Sequence, residues 1–120
     1  MDALGHVNNI VYFRYFESAR MAYFERIGFG EPATGIGPIL AETRCRFRAP
    51  LRYPDYIAVG ARARAVETDR FTMDYAVAGH RDRRIVAEGS GLVVCYDYQS
   101  HRKTALPGAI VDAIEQLQSP

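Results

Sequence analysis

The sequence lacks the features that mark membrane, secreted and nucleic-acid-binding proteins. No apolar run approaches the roughly 20 residues that a membrane-spanning helix needs, and the first residues lack the basic-then-apolar order of a signal peptide. The formal net charge is only +1 over 120 residues, so no overall field draws the chain to nucleic acid or to an anionic membrane. We therefore expect a cytoplasmic globular protein.

Cysteine and histidine are also scarce. Cys45 and Cys95 are the only cysteines, and no CxxC or Cys/His spacing surrounds them. The three histidines, His6, His80 and His101, are too scattered to indicate a metal site. We expect two reduced, partly buried thiols, no metal and no separate cofactor.

The length suits one domain over residues 1–120, and no repeat or linker divides it. Apolar residues between Ile10 and Ile27 recur at steps of three and four, which predicts a long helix. This stripe consists of Tyr12, Phe16, Ala19, Tyr23 and Ile27. Asn8 or Asn9 can cap the start of the helix, and Gly28 can end it.

After this helix, apolar residues recur at every second position, which predicts four antiparallel strands near residues 39–48, 56–67, 71–79 and 84–98. In the first of these, the predicted inward face carries Ile39, Ala41, Thr43, Cys45 and Phe47. Gly89 and Gly91 suggest a bend or bulge in the last strand. Pro107 suits the first turn of a short helix that carries Ile110, Ala113, Ile114 and Leu117. The predicted class is α+β, with a sheet curled around one long helix.

The first residues, "DALGHVNN", carry the most chemistry. Backbone N–H groups at a helix start form a donor-rich, positive end that can polarise a carbonyl oxygen. Asp2 could attack that carbonyl or orient water, and Gly5 allows close backbone approach. The ordinary alternatives stay open: Asn8 and Asn9 are good caps, His6 can bond within the turn, and a terminal Asp is often solvated.

The string "DALGHVNNIVYFRYFESAR" resembles the signature of the hotdog-fold acyl-CoA thioesterases, in the 4-hydroxybenzoyl-CoA thioesterase-like family. That signature reads roughly D-x-x-G-H-V-N-N-x-x-Y. The matching residues are Asp2, Gly5, His6, Val7, Asn8, Asn9 and Tyr12. The segments "FRAPLRYPDYIAV" and "VVCYDYQSHRKTALP" resemble later parts of the same family.

The resemblance implies a hotdog fold and hydrolysis of acyl-CoA thioesters to free acid and coenzyme A. It places the catalytic carboxylate at Asp2, as nucleophile or general base, and the polarising N–H near Asn9. His6 is a further catalytic candidate, while Gly5, Asn8 and Tyr12 are substrate-binding candidates. Family members are homodimers or homotetramers with the site between subunits, and coenzyme A enters as part of the substrate.

Phosphates of coenzyme A favour arginine and lysine. Three basic groups compete for this role, at residues 44–48, 80–84 and 101–103, and each could equally be solvated surface. Residues in loops and turns contact ligands more often than residues on strand faces do. We therefore predict that Arg83, Arg84 and Arg102 bind the phosphates. The acyl group is open, because the helical tyrosines can line an aryl pocket or simply form core.

Two other functions compete with hydrolysis. One is a hotdog dehydratase, which needs a base aimed at the carbon beside the carbonyl, and the other is a non-catalytic acyl-CoA-binding module. Related chains place an edge strand before the catalytic Asp, whereas Met1 occupies that position here. We therefore expect that about ten further residues upstream form this strand in the natural protein.

Overall fold

The computed structural model describes residues 9–49, 56–80 and 83–119. Its elements are α1 (Asn9–Ile27), a 3-10 turn (Pro32–Thr34), β1 (Ile36–Phe47), β2 (Ile57–Arg64), β3 (Arg70–Gly79), β4 (Arg84–Asp97), β5 (Arg102–Lys103) and α2 (Gly108–Gln118). The strands form one antiparallel sheet in the order β1-β4-β3-β2, and the short β5 pairs with the end of β4. The predicted α+β class, with one long helix and a short terminal helix, is confirmed.

The α1 helix buries its aromatic stripe against the sheet, as the periodicity predicts. Tyr12, Phe16, Tyr23 and Ile27 are all buried, whereas Ala19 is only half-buried. The Phe16 ring stacks on Tyr75 of β3, with centroids 4.8 Å apart. Gly28 ends the helix with a φ of +73°, a left-handed conformation that costs glycine little.

The alternation predicted for β2 is confirmed, because its inward residues alternate with more exposed ones, and β3 alternates in the same way. The inward face predicted for β1 is confirmed only in part, because Cys45 packs against the core and Phe47 contacts Tyr12, while most of this face is left uncovered. Ile39, Ala41, Thr43 and Phe47 are all exposed in the chain. Two physical reasons apply: β1 is a sheet edge with little of α1 above it, and an irregularity between Leu40 and Glu42 shifts the pairing register with β4.

The bulge suggested at Gly89 and Gly91 lies elsewhere, since both glycines pair regularly with β1. The β4 strand is irregular instead near Val86, where its pairing with β3 skips a residue. Gly89 has a different role. A Cβ built there would lie 2.4 Å from the Phe16 ring, so the absence of a side chain lets α1 sit close to the sheet.

The predicted terminal helix is confirmed as α2, which begins directly after Pro107 and buries Ile110 and Ile114. Gln118, its last residue, reaches the free edge of β2. The Ala63 N–H donates to Gln118 Oε1 at 2.6 Å, and Gln118 Nε2 donates to the Ala63 carbonyl at 2.9 Å. The side chain thus takes the place of a neighbouring strand at that residue.

Candidate active site

The amino terminus of α1 is the one part of the predicted catalytic centre that the structure describes. Asn9 is its first residue and is exposed. The first N–H groups of a helix have no acceptor in the preceding turn, which makes this end a positive donor site. The first turn carries no acidic residue, whereas Arg26 in the last turn complements the other end of the helix. The described helix begins at Asn9, beside the start predicted near Ile10, and the role of Asn9 in polarising a carbonyl stays a prediction.

Apart from Tyr12, which is described and almost completely buried, the other motif residues assigned to the site lie outside the described residues. They are Asp2, Gly5, His6 and Asn8. Their roles, and the edge strand expected before Asp2, therefore stay predictions.

An apolar surface surrounds the start of α1. Ile10, Phe13 and Phe47 are 66 %, 38 % and 42 % exposed. Beneath them Tyr12 is almost completely buried, and its ring meets that of Phe47 edge-on at 5.3 Å. The surface fits an acyl group or a second copy of the chain, both of which bury apolar area. Sequence reasoning missed Ile10 and Phe13, although both are apolar residues that lie off the core stripe.

The predicted phosphate-binding arginines fall at opposite ends of β4. Arg84 begins the strand and Arg83 precedes it, whereas Arg102 pairs with Asp97 at its far end. Thirteen residue steps of roughly 3.3 Å separate Arg84 from Asp97, or about 43 Å. Both groups of one chain therefore cannot contact the phosphates of the same coenzyme A.

The Arg102 end has mixed charge. The Asp97 carboxylate accepts hydrogen bonds from the N–H groups of Gln99 (2.9 Å) and Ser100 (3.3 Å). The first of these bonds is the main cause that holds the pKa of Asp97 below its usual value, and nearby Arg102 lowers it further. Asp69 accepts two hydrogen bonds from Arg70, at 2.7 and 3.2 Å. These bonds are the main cause that holds the pKa of Asp69 below its usual value. Carboxylates thus already offset part of the positive charge here.

A groove of about 670 Å³ opens at the other end of α1. Apolar side chains from three segments line it, including Phe24, Phe29 and Pro38, together with the carboxylates of Glu25 and Glu31. Sequence reasoning missed it because these segments meet only in the folded chain. The available signal was the glycine-rich connection after α1, where Gly30 adopts a φ of +92°.

Both cysteines are free thiols, as predicted; Cys95 is buried and Cys45 half-buried. Burial is the main cause that raises the pKa of each thiol, and for Cys45 it is the only cause. Within the described ranges, no three His, Cys, Asp or Glu side chains come together to hold a metal ion. No helix in this part of the chain is long and apolar enough to span a membrane.

Known proteins share both this fold and its sequence pattern. A thioesterase of Thermus thermophilus, solved with coenzyme A and zinc, is 30 % identical, with a TM-score of 0.85; the match covers all of this chain and 87 % of that one. The long-chain acyl-CoA thioesterase FadM of Escherichia coli is 21 % identical over 119 residues, covering 98 % of this chain and 90 % of FadM. A curated Aquifex aeolicus protein is 33 % identical over 79 residues, covering 63 % of this chain.

The chain spans less than two thirds of some curated relatives, namely 62 % of the Aquifex protein and 50 % of a Bacillus subtilis protein. The sequence model of one family nevertheless matches almost the whole chain, over residues 1–114. By that match, and by the helix and sheet described above, the chain belongs to the thioesterase-like superfamily.

Proposed function

We propose that this chain hydrolyses acyl-CoA thioesters to a free acid and coenzyme A. The observation that carries the proposal is the exposed first turn of α1, which begins at Asn9, the last residue of the D-x-x-G-H-V-N-N motif, and carries or adjoins Ile10, Phe13 and Phe47. A donor-rich helix end beside an apolar surface suits a thioester carbonyl attached to an acyl chain. The likeness to FadM and to a thioesterase solved with coenzyme A supports this substrate class.

In the proposed reaction the thioester oxygen accepts a hydrogen bond from the N–H near Asn9. The Asp2 carboxylate either attacks the carbonyl carbon, giving an anhydride that water then cleaves, or removes a proton from an attacking water. In both routes the C–S bond breaks and the thiolate of coenzyme A leaves and takes up a proton. Gly5 permits the close approach of backbone to substrate; His6 is proposed as a further catalytic residue and Asn8 as a substrate-binding residue.

The reaction needs only water besides the substrate, so we propose that no metal or other cofactor takes part. Dialysis against EDTA should leave turnover within about twofold of the untreated rate, measured as thiol release. A loss that returns on adding a divalent cation would contradict this. The two free thiols also fit the reducing cytoplasm in which we propose that the protein acts.

We further propose a homodimer, itself able to pair into a tetramer, that forms through the edge of β1. Gln118 occupies the β2 edge at Ala63, whereas Ile39 and Leu40 of β1 are 36 % and 37 % exposed. Antiparallel pairing of two β1 strands places the start of one beside the end of the other. The partner's groove would then approach the start of α1, where the thioester is proposed to bind.

Asp2→Asn tests the catalytic assignment. We expect it to lower the rate of thiol release from the best acyl-CoA by on the order of 10²-fold or more, since it removes the nucleophile or base. Asp112→Asn, on the exposed side of α2, is the matched control and should keep the parent rate. Parent activity in Asp2→Asn would contradict the assignment. Tight acyl-CoA binding by the parent without thiol release would favour a binding module instead.

A further inference from the structure

We propose that Arg20 and Tyr75 form a subsite that binds a carboxylate at the far end of the acyl group. The chain then acts on acyl-CoAs whose acyl group is derived from a dicarboxylic acid. The inference rests on the proposed acyl-CoA substrate and names a class of acyl group within it.

The Arg20 side chain is a half-buried positive charge without a counter-ion. It extends from α1 to β3, where its Nη1 donates to the Tyr75 hydroxyl oxygen at 3.1 Å. Arg20 takes part in none of the ion pairs of the described residues, and Glu17, one turn earlier on α1, is exposed and does not pair with it. Charged groups withdrawn from water are normally paired, and the N–H donors of a guanidinium suit a carboxylate. The side chain therefore lacks the anionic partner that its surroundings favour.

The Tyr75 hydroxyl supplies a second donor at the same place. Tyr75 is 3 % exposed, and its oxygen accepts the bond from Arg20. Within the described part of the chain, its O–H proton has no acceptor. Burial is the main cause that raises the pKa of Tyr75, so the hydroxyl keeps its proton at neutral pH. Buried tyrosine hydroxyls usually find an acceptor, and a carboxylate held by Arg20 supplies one.

Space for such a ligand lies on the β1 side of this pair. A Cβ built at Gly91 of β4 would lie 3.3 Å from Tyr75 Oη and 2.9 Å from Leu40 Cδ1. The missing side chain thus leaves room beside the hydroxyl on the side of Leu40. Leu40 and Phe47 of β1 and Phe13 of α1 are exposed. An open, apolar surface therefore adjoins both the start of α1 and the Arg20 side chain, as an acyl chain requires.

The distance from the helix start sets the length of the acyl group. Arg20 lies eleven residues after Asn9, or about 16 Å along the helix axis. Side chains of a helix lean toward its start by up to about one turn, and the bond to Tyr75, whose ring stacks on Phe16, fits this direction. The guanidinium therefore lies roughly 11 to 16 Å from the helix start. An extended chain advances about 1.2 Å per bond, so the far carboxylate of a diacid of about ten carbons reaches Arg20.

The experiment compares thiol release from decanedioyl-CoA and decanoyl-CoA, with hexanedioyl-CoA and hexanoyl-CoA as a shorter pair. The parent should have the higher kcat/KM for decanedioyl-CoA, and the preference should vanish in the shorter pair, whose carboxylate does not reach Arg20. Arg20→Gln should lower the ratio of the two decanoyl-type kcat/KM values by about tenfold or more, since it removes a charge-assisted hydrogen bond. Tyr75→Phe, which keeps the ring and Arg20, should lower this ratio by about fivefold.

Arg26→Gln is the matched control. Arg26 is an exposed arginine of the same helix, on the flank that lines a pocket with Val59 and Ala61 of β2, and its loss should leave the ratio unchanged. A ratio also cancels any general loss of folded protein, because both substrates meet the same enzyme sample. A parent without the preference overturns the subsite, as does a preference that Arg20→Gln leaves intact. A weaker dimer in Arg20→Gln with an unchanged ratio assigns the guanidinium to a carboxylate of a second copy, which also overturns the subsite.

Calorimetry separates this inference from the proposed function. If the parent binds decanedioyl-CoA more tightly than decanoyl-CoA, Arg20→Gln removes the difference and no thiol is released, the subsite stands and the hydrolase assignment falls. If the parent hydrolyses both substrates with equal kcat/KM, the hydrolase assignment stands and the subsite falls. If the parent neither binds nor hydrolyses either substrate, both fall.

Discussion

Gly89 sets the depth at which α1 lies on the sheet, because its missing side chain makes room for the Phe16 ring. A Cβ at this position would lie 2.4 Å from that ring and 2.5 Å from the Arg44 carbonyl oxygen. Gly89→Ala should therefore lower the free energy of unfolding by roughly 1–3 kcal/mol, as overpacking of a core does. Urea denaturation measures it. Gly60→Ala on β2, where an added Cβ meets nothing within 4 Å, is the control and should not destabilise the protein; equal losses in the two variants would contradict the steric explanation.

A second prediction at this scale separates stability from binding at Arg83. Arg83 adopts a φ of +52°. Asparagine tolerates this left-handed backbone better than arginine, so Arg83→Asn should stabilise the fold by about 0.5–1 kcal/mol while it weakens coenzyme A binding. Ala65 has the same φ of +52° but follows the end of β2 that is farthest from Arg83. Ala65→Asn should give a similar gain in thermal stability and leave coenzyme A affinity unchanged. A stability loss in both variants would show that the left-handed backbone carries no strain.

At the scale of elements, the turn between β4 and β5 links stability to pH. The pKa of Asp97 is lowered in the folded chain, chiefly by the Gln99 N–H. A carboxyl with a depressed folded pKa stabilises the protein above its unfolded pKa of about 3.9, and this stability is lost as pH falls through the folded value. Asp97→Asn should therefore flatten the dependence of Tm on pH between about pH 5 and pH 2. A slope identical to that of the parent would contradict the role of this carboxylate.

The elements also show what a sequence can and cannot predict here. The spacing of apolar residues alone located α1, α2, the four long strands and the inward face of β2, because a helix or strand packed on a core buries one fixed face. For β1 it was right only at Cys45 and Phe47, since the burial of an edge strand depends on what covers it, and on an irregularity beside Glu42 that no local signal marks. In the site, the motif predicted the start of α1 at Asn9. It could not show that Arg84 and Arg102 lie at opposite ends of β4, which follows only from the register of the sheet.

At the scale of the whole molecule, assembly through β1 predicts a selective effect of charge at that edge. A lysine on an exposed edge strand opposes strand pairing between copies. Ile39→Lys should shift the protein from dimer to monomer in light scattering, and lower thiol release from acyl-CoA, with the far-UV spectrum unchanged. Val66→Lys, at a residue that is 40 % exposed after β2, should leave the dimer intact. A monomeric parent that still turns over substrate would contradict assembly as a requirement.

The contact between Gln118 and Ala63 has a consequence for the order of events during synthesis. The two residues are 55 positions apart, so at about 5–20 residues per second the ribosome adds Gln118 roughly 3 to 11 seconds after Ala63. Strands β2 to β4 are complete before α2 exists, and the β2 edge is open to neighbouring nascent chains during that interval. Protection of this edge thus comes later than the formation of β2 itself, and the yield of native protein should fall as translation slows or as polysomes crowd.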